Sequence, residues 1–257
     1  QLSDLRGNLR QFPLTGHGEM LLQDGQIKVP AFQLKSGGSA LSLQGSGADR
    51  LEFLLSLHSG NVGELWPGAS GILDFKGRLQ GAAKRPNFDL QLAAERLRLN
   101  RTGVDRLQVA GKGVLATDGA VEVDAHLSKL SQGDFNLTQG DMHLKGTAAN
   151  HSLKLSGSNQ RFTAAGEVRG SLHNRLWQGS FNNLFLNDQQ IGNWRQQAGS
   201  KLAITPQRIE LQQLCLHAPP GATFCVDGAK DTVSQAWQAT ANLHALPLTT
   251  ITAATDL

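Results

Sequence analysis

The chain has 257 residues, and its 24 Lys and Arg against 21 Asp and Glu leave a net charge of +3, which is not the basic footprint of a nucleic-acid binder. With 39% apolar and only 18% charged residues it is too apolar and too weakly charged to be disordered. No run of about 18 apolar residues predicts a transmembrane helix, and the absence of Tyr argues against a membrane barrel with aromatic girdles.

In chain order, Gln1 to Arg10 shows no basic start followed by an apolar stretch, so no signal peptide is expected. Leu5 to Arg10 has weak helical spacing, but Gly7 argues against a helix. From there the dominant period is two. Leu41-Ser-Leu43, Leu51-Glu-Phe53-Leu-Leu55-Ser-Leu57 and Leu73-Asp-Phe75-Lys alternate apolar with polar. A short turn fits within Glu64 to Ser70. Phe88-Asp-Leu90-Gln-Leu92, Leu97-Arg-Leu99, Leu107-Gln-Val109 and Val121-Glu-Val123-Asp-Ala125-His-Leu127 continue the alternation. Phe135-Asn-Leu137, Met142-His-Leu144, Leu153-Lys-Leu155, Leu184-Phe-Leu186, Leu202-Ala-Ile204, Ile209-Glu-Leu211 and Trp237-Gln-Ala239-Thr-Ala241-Asn-Leu243 complete it. Such runs are strands with one buried and one wet face. Turn chemistry separates them at Asp24-Gly25, Ser36-Gly37-Gly38, Gly45-Ser46-Gly47, Asp118-Gly119, Pro219-Pro220-Gly221 and Asp227-Gly228. Many strands end in Gly, as in Leu43-Gln-Gly45 and Phe75-Lys-Gly77, but no fixed repeat period emerges.

The predicted class is all-β and mostly antiparallel, with little or no helix. About twenty one-sided strands must bury one apolar face, which a two-sheet sandwich, a large barrel, or one long curled sheet can each do. Glycines at strand ends would permit the curvature of the third. Residues 1–257 read as a single segment, with loop boundaries near 66–70 and 83–87. With no initiator Met, and with Leu246-Pro-Leu-Thr-Thr-Ile-Thr still patterned near the end, the chain reads as a piece of a longer protein.

Cys215 and Cys225 flank Pro219-Pro220-Gly221. If they oppose each other across a hairpin, Leu216 meets Phe224 and Leu214 meets Val226 on one face, with both sulfurs on the other. Opposed strand residues are close enough for a disulfide, which would imply an oxidising compartment. The alternatives are two free thiols or a partial metal site. The latter needs four ligands, and only His217 is near.

The stretch from Ile204 through Leu216, then Phe224-Cys-Val-Asp-Gly228 and Ala236 to Leu248, resembles the middle region of the TamB family. That family belongs to the AsmA-like, repeating-β-groove proteins of Gram-negative envelopes. The strand style of Arg96 to Gly113 is similar. The resemblance implies a taco-shaped β-groove with an apolar interior. It also implies a periplasmic bridge anchored in the inner membrane, in phospholipid transport or outer-membrane protein assembly with a TamA-like barrel partner. No anchor helix or distinct C-terminal domain is evident here, so contact with the barrel is assigned to parts outside this chain. The resemblance carries no catalytic motif.

Other chemistry is thinly supplied. Gly111-Lys-Gly113 mimics a dinucleotide fingerprint, but a turn and a strand are predicted to follow where a helix is needed. The eight His are scattered, with no metal-ligand spacing. No catalytic residue, metal or cofactor is predicted. Arg96, Arg98, Arg101 and Arg106 cluster, either as a solvated strand face or as a contact for anionic head groups. The expectation is a non-enzymatic conduit for phospholipid acyl chains. Its lining is assigned to Leu41, Leu43, Phe53, Leu55, Phe75, Leu90, Leu92, Val109, Val121, Val123, Leu137, Leu144, Leu155, Leu211, Leu216 and Phe224. The rival is a closed β-sandwich chaperone that offers a sheet edge to unfolded outer-membrane protein strands.

Overall fold

A computed structural model describes residues 2–245; the patterned stretch from Leu246 lies outside the described residues. The all-β, antiparallel expectation holds. Among the described residues there is no α-helix, and the helical spacing at Leu5 to Arg10 yields to a strand. The chain divides into two compact units, residues 1–139 and 140–257.

Unit 1 runs β1 (Leu2–Leu9), β2 (Phe12–Gln23), β3 (Gln26–Ser36), β4 (Ser39–Gly47), β5 (Arg50–Ser59), β6 (Ala69–Ala82), β7 (Asn87–Leu99), β8 (Thr102–Val114) and β9 (Val121–Gln132). Each strand pairs antiparallel with the next in sequence. The turns are short because their chemistry is local. Asp24 and Gly25 take φ of 51° and 73°, the left-handed pair that a two-residue hairpin requires. The expected boundaries near 66–70 and 83–87 fall inside this unit, at the loops before and after β6, which occupy residues 65–68 and 83–86.

One turn of 3-10 helix, Val62–Glu64, sits between β5 and β6. It delivers Glu64, which is buried, to the β3–β4 hairpin. The carboxylate accepts the Gly38 N–H at 2.8 Å and the Ser39 hydroxyl at 3.0 Å, and Ser39 shares a 2.8 Å hydrogen bond with Ser59. A side chain at Gly37 would strike that carboxylate at 2.7 Å, which accounts for glycine there.

The boundary between the units falls inside β10 (Phe135–Thr147). Unit 2 continues with β11 (Asn150–Ser158), β12 (Phe162–His173), β13 (Leu176–Asp188), β14 (Gly192–Gln196), β15 (Lys201–Ile204), β16 (Arg208–Ala218), β17 (Ala222–Asp231) and β18 (Trp237–His244). β11, β12 and β13 pair in order. β14 and β15 then act as one interrupted strand, each pairing with both β13 and β16. β17 and β18 follow in order.

Cys215 and Cys225 are disulfide-bonded, in the expected register: Leu214 opposite Val226 and Leu216 opposite Phe224. The link spans ten residues, which stabilises by about 3 kcal/mol in the chain-entropy account. Two readings of turns change. Asp227-Gly228 lies inside β17, where Asp227 accepts the Gln213 N–H at 2.8 Å instead of making a turn. Gly45-Ser46-Gly47 completes β4, because Phe53 of the next strand covers both glycines. Gly111 and Gly113 lie in β8 with no helix after them, so the dinucleotide fingerprint lacks its phosphate-binding helix.

Candidate functional site: an uncovered apolar sheet face

Strict alternation places every second side chain of a strand on one face, and the register of unit 1 aligns these faces from strand to strand. One row runs Phe32, Leu43, Leu55, Gly77, Leu90, Gly111, Val123 across β3 to β9. A second runs Leu34, Leu41, Leu57, Phe75, Leu92, Val109, Ala125 across the same strands. A third runs Gly45, Phe53, Leu79, Phe88, Gly113, Val121 across β4 to β9. Phe53 lies over Gly45, and Phe88 over Gly113, where an added Cβ would come within 2.7 and 3.0 Å of the rings. The large side chains therefore lie along the sheet, filling the gaps that glycine leaves.

This face is packed sideways but not roofed. Among the described residues of unit 1, the buried apolar side chains are Pro86, Ala94 and Val29, the last of which extends the third row opposite Gly45. The leucines and phenylalanines of the three rows are half-buried. A two-sheet sandwich would bury them fully.

The opposite face is polar. Gln33, Ser42, Ser56, Lys76 and Gln91 face one another in one row, and Lys35, His58, Asp74 and Gln108 belong to another. Asp74 pairs with His58 at 2.7 Å, and Glu122 with Lys112 at 3.2 Å. An open depression of about 460 Å³ lies on this polar side, among Ser42, Gln44, Lys76, Arg78, Asp89 and Gln91. It is a gap between long side chains above Ser42 and Ser56, whose hydroxyls hydrogen-bond at 2.7 Å, and its lining is mixed, with Leu54 and Leu55 beside the polar groups.

The predicted lining residues fall in distinct places. Leu41, Leu43, Phe53, Leu55, Phe75, Leu90, Leu92, Val109, Val121 and Val123 come together on the unit 1 face. Leu137 and Leu144 are half-buried in β10. Leu155 stands opposite Gly166 and is 47% exposed. Leu211 lies between Leu202 and Gly228. Leu216 and Phe224 are half-buried and pack, with Leu186 and Ile191, against the buried trio Trp194, Ala218 and Ala222 in unit 2. Phe32, Leu34, Leu57, Leu79, Phe88 and Ala125 complete the unit 1 face but were absent from the predicted lining. Their parity within the strands marked them, and only the register joins them to the rest.

Charge is handled locally. Arg98 of the predicted cluster binds Asp105 at 2.9 Å, and Lys129 approaches the same carboxylate at 3.6 Å. The Arg98 hydrogen bond holds the Asp105 carboxyl below its ordinary range. In unit 2, the buried Glu167 is held low by its two hydrogen bonds from Arg169. Burial pushes Asp188 up, but the Gln190 and Ile191 N–H groups and Arg161 outweigh it and hold that carboxyl low. Of the tryptophans, Trp194 is buried, Trp177 donates to His151 at 2.7 Å, and Trp66 and Trp237 are exposed.

Among the described residues no helix is long and apolar enough to cross a membrane. No solved structure matches the chain. Over 183 residues it is 26% identical to the translocation and assembly module subunit TamB of Haemophilus influenzae, covering 70% of this chain and 14% of that relative. The sequence model of the family described as TamB, N-terminal domain, matches residues 1–256. The chain therefore belongs to the TamB family, through the region that this N-terminal-domain model represents.

Proposed function

We propose that the unit 1 face shields lipid acyl chains, as a non-enzymatic segment of a longer envelope protein that moves phospholipid between the inner and outer membranes. The observation that carries this reading is the continuous three-row apolar face without a roof. Exposing an acyl methylene to water costs about 0.8 kcal/mol, so a 16-carbon chain costs on the order of 12 kcal/mol. Leucine, valine and phenylalanine at successive strands offset most of that cost. They also offer similar neighbours at each step, so a chain can slide without a deep trap. The polar opposite face remains in water.

The family supports the setting: a periplasmic bridge, anchored in the inner membrane by parts outside this chain. The disulfide fits an oxidising compartment. Barrel assembly with a TamA-like partner belongs to the whole protein and runs through segments beyond this one. The sandwich alternative loses ground because its facing rows need a cover that the half-buried leucines do not have.

Photo-crosslinking amino acids in the full-length protein in cells test the reading. Leu43 traps phospholipid, while its outward neighbour Gln44 does not. Leu155 and Lys154 form the matching pair in unit 2. Val123→Arg places a charge in the floor, and lipid capture at Leu43 falls several-fold while the protein is still made. Equal labelling at Leu43 and Gln44, or undiminished lipid delivery by Val123→Arg, refutes it.

A further inference from the structure

Unit 2 is crossed by a line of ladder faults that lie opposite one another on successive strands. In β12 and β13 the pairing steps from Ala165–Phe185 to Glu167–Asn182, so that Gly166 faces both Asn183 and Leu184, with Asn183 at φ 55°. Next, β13 pairs with β14 only from Phe185 onward and with β15 only up to Gly179. Residues 197–200 fill the break between those two short strands. On the far side, β16 carries a bulge at Gln212 and Gln213, with Gln213 at φ 57°, and both residues face the single Asp227 of β17.

Side chains replace the missing ladder bonds. Gln196 accepts the Leu184 N–H at 3.2 Å and donates to the Phe181 carbonyl at 2.9 Å. The Ser200 hydroxyl, on a fully buried residue, accepts the Phe181 N–H at 3.3 Å. Asp227 accepts the Gln213 N–H. A bulge increases local twist and bends its strand. A carboxamide or hydroxyl on rotatable bonds keeps its hydrogen bond over a range of angles, whereas a ladder bond is fixed by the backbone. Positive φ at non-glycine residues stores strain that bending can relieve. Beside the line, the Cys215–Cys225 disulfide holds β16 and β17 together one pair beyond Leu214–Val226. Unit 1 carries bulges in β1–β2, β2–β3, β3–β4 and β6–β7, but none of its strands is broken in two as β14 and β15 are.

We infer that this line is a transverse hinge: unit 2 flexes along Gly166, Asn183, residues 197–200, Gln213 and Asp227, with side-chain hydrogen bonds as its pins and the disulfide as its staple. Flexing changes the angle between Leu202 and Leu211 on one side of the line and Leu216 and Phe224 on the other, without unzipping a strand. The motion does not require cargo, so its test stands apart from the lipid reading.

Hydrogen exchange on the oxidised protein, without lipid, reads the hinge directly. The amides of Phe181, Leu184, Ser200 and Gln213 exchange about tenfold or more faster than the ladder amides of β11–β12 and β17–β18. Gln196→Leu keeps the bulk, removes two pins, and raises exchange at Phe181 and Leu184 several-fold further while the β11–β12 amides hold their protection. Wild-type protection that is uniform across the line overturns the hinge. So does Gln196→Leu exchange that rises equally in all strands, because the fault line would then be ordinary rigid packing.

Discussion

Leu55 and Trp194 are both apolar residues on antiparallel strands, yet one lies half-open in a row of its peers and the other is closed in on all sides. Leu55 belongs to ladders without a fault, where neighbouring strands keep side chains parallel and packing is only lateral. Trp194 sits in the middle of the five-residue β14, just after the Asp188 turn. Chain reversals there let Ile191 fold in, and the Pro219-Pro220-Gly221 turn supplies Ala218 and Ala222. The comparison teaches that closure in this architecture comes from interruptions. Bulges alone do not close the face, since the open rows run through β3–β4 and β6–β7, which each carry one; what closes over Trp194 is the break between β14 and β15 with the two reversals beside it.

The sharpest way to break that contrast is Trp194→Ala. Removing a buried indole costs unit 2 about 4 kcal/mol, read as lost exchange protection around β14, β16 and β17. Unit 1 protection is unchanged if the two units differ as described.

Asp188→Ala comes next. It removes acceptors for two backbone N–H groups and for Arg161, at about 2 kcal/mol near neutral pH. The Asp188 carboxyl is held below its ordinary 3.8 in the folded chain, so its contribution is complete above that value. It fades as pH falls from there through the lower folded value. Denaturation followed from pH 7 down to pH below about 3 therefore shows wild type converging on the variant. A gap that widens in acid contradicts the assignment. Glu167 has the same sign, so the two together weaken unit 2 in acid.

Smallest is Leu55→Ala. On a half-open face it costs about 1 kcal/mol, well under the range for a sealed core. A loss as large as that of Trp194→Ala would mean that the unit 1 rows are roofed after all.

Much of this was legible in the residues. Alternation placed Leu41, Leu43, Phe53 and Leu55 on one face, and a proline-rich turn midway between two cysteines allowed the β16–β17 register that the structure has. The interruptions were not legible. Asp227-Gly228 has the chemistry of a turn, and only its position opposite Gln213 makes it the partner of a bulge. Gln196 looks like any other amide in the sequence, because the gap it fills is opened by a bulge on the preceding strand, β13, that no residue pattern announces. Leu216 and Phe224 carry the same alternation as the open rows, and only the nearby reversals bring them against the buried Trp194, Ala218 and Ala222. Periodicity reports which way a side chain points, but what stands above it is decided by other strands.

Nearest-neighbour pairing in unit 1 has a consequence for how such a chain is made and lengthened. Each strand from β2 to β9 lies against the one synthesised just before it. A growing chain can thus zip up hairpin by hairpin, and every closure spans a short loop with a small entropic toll. The same arrangement lets evolution insert or delete a hairpin without rewiring what lies before or after it.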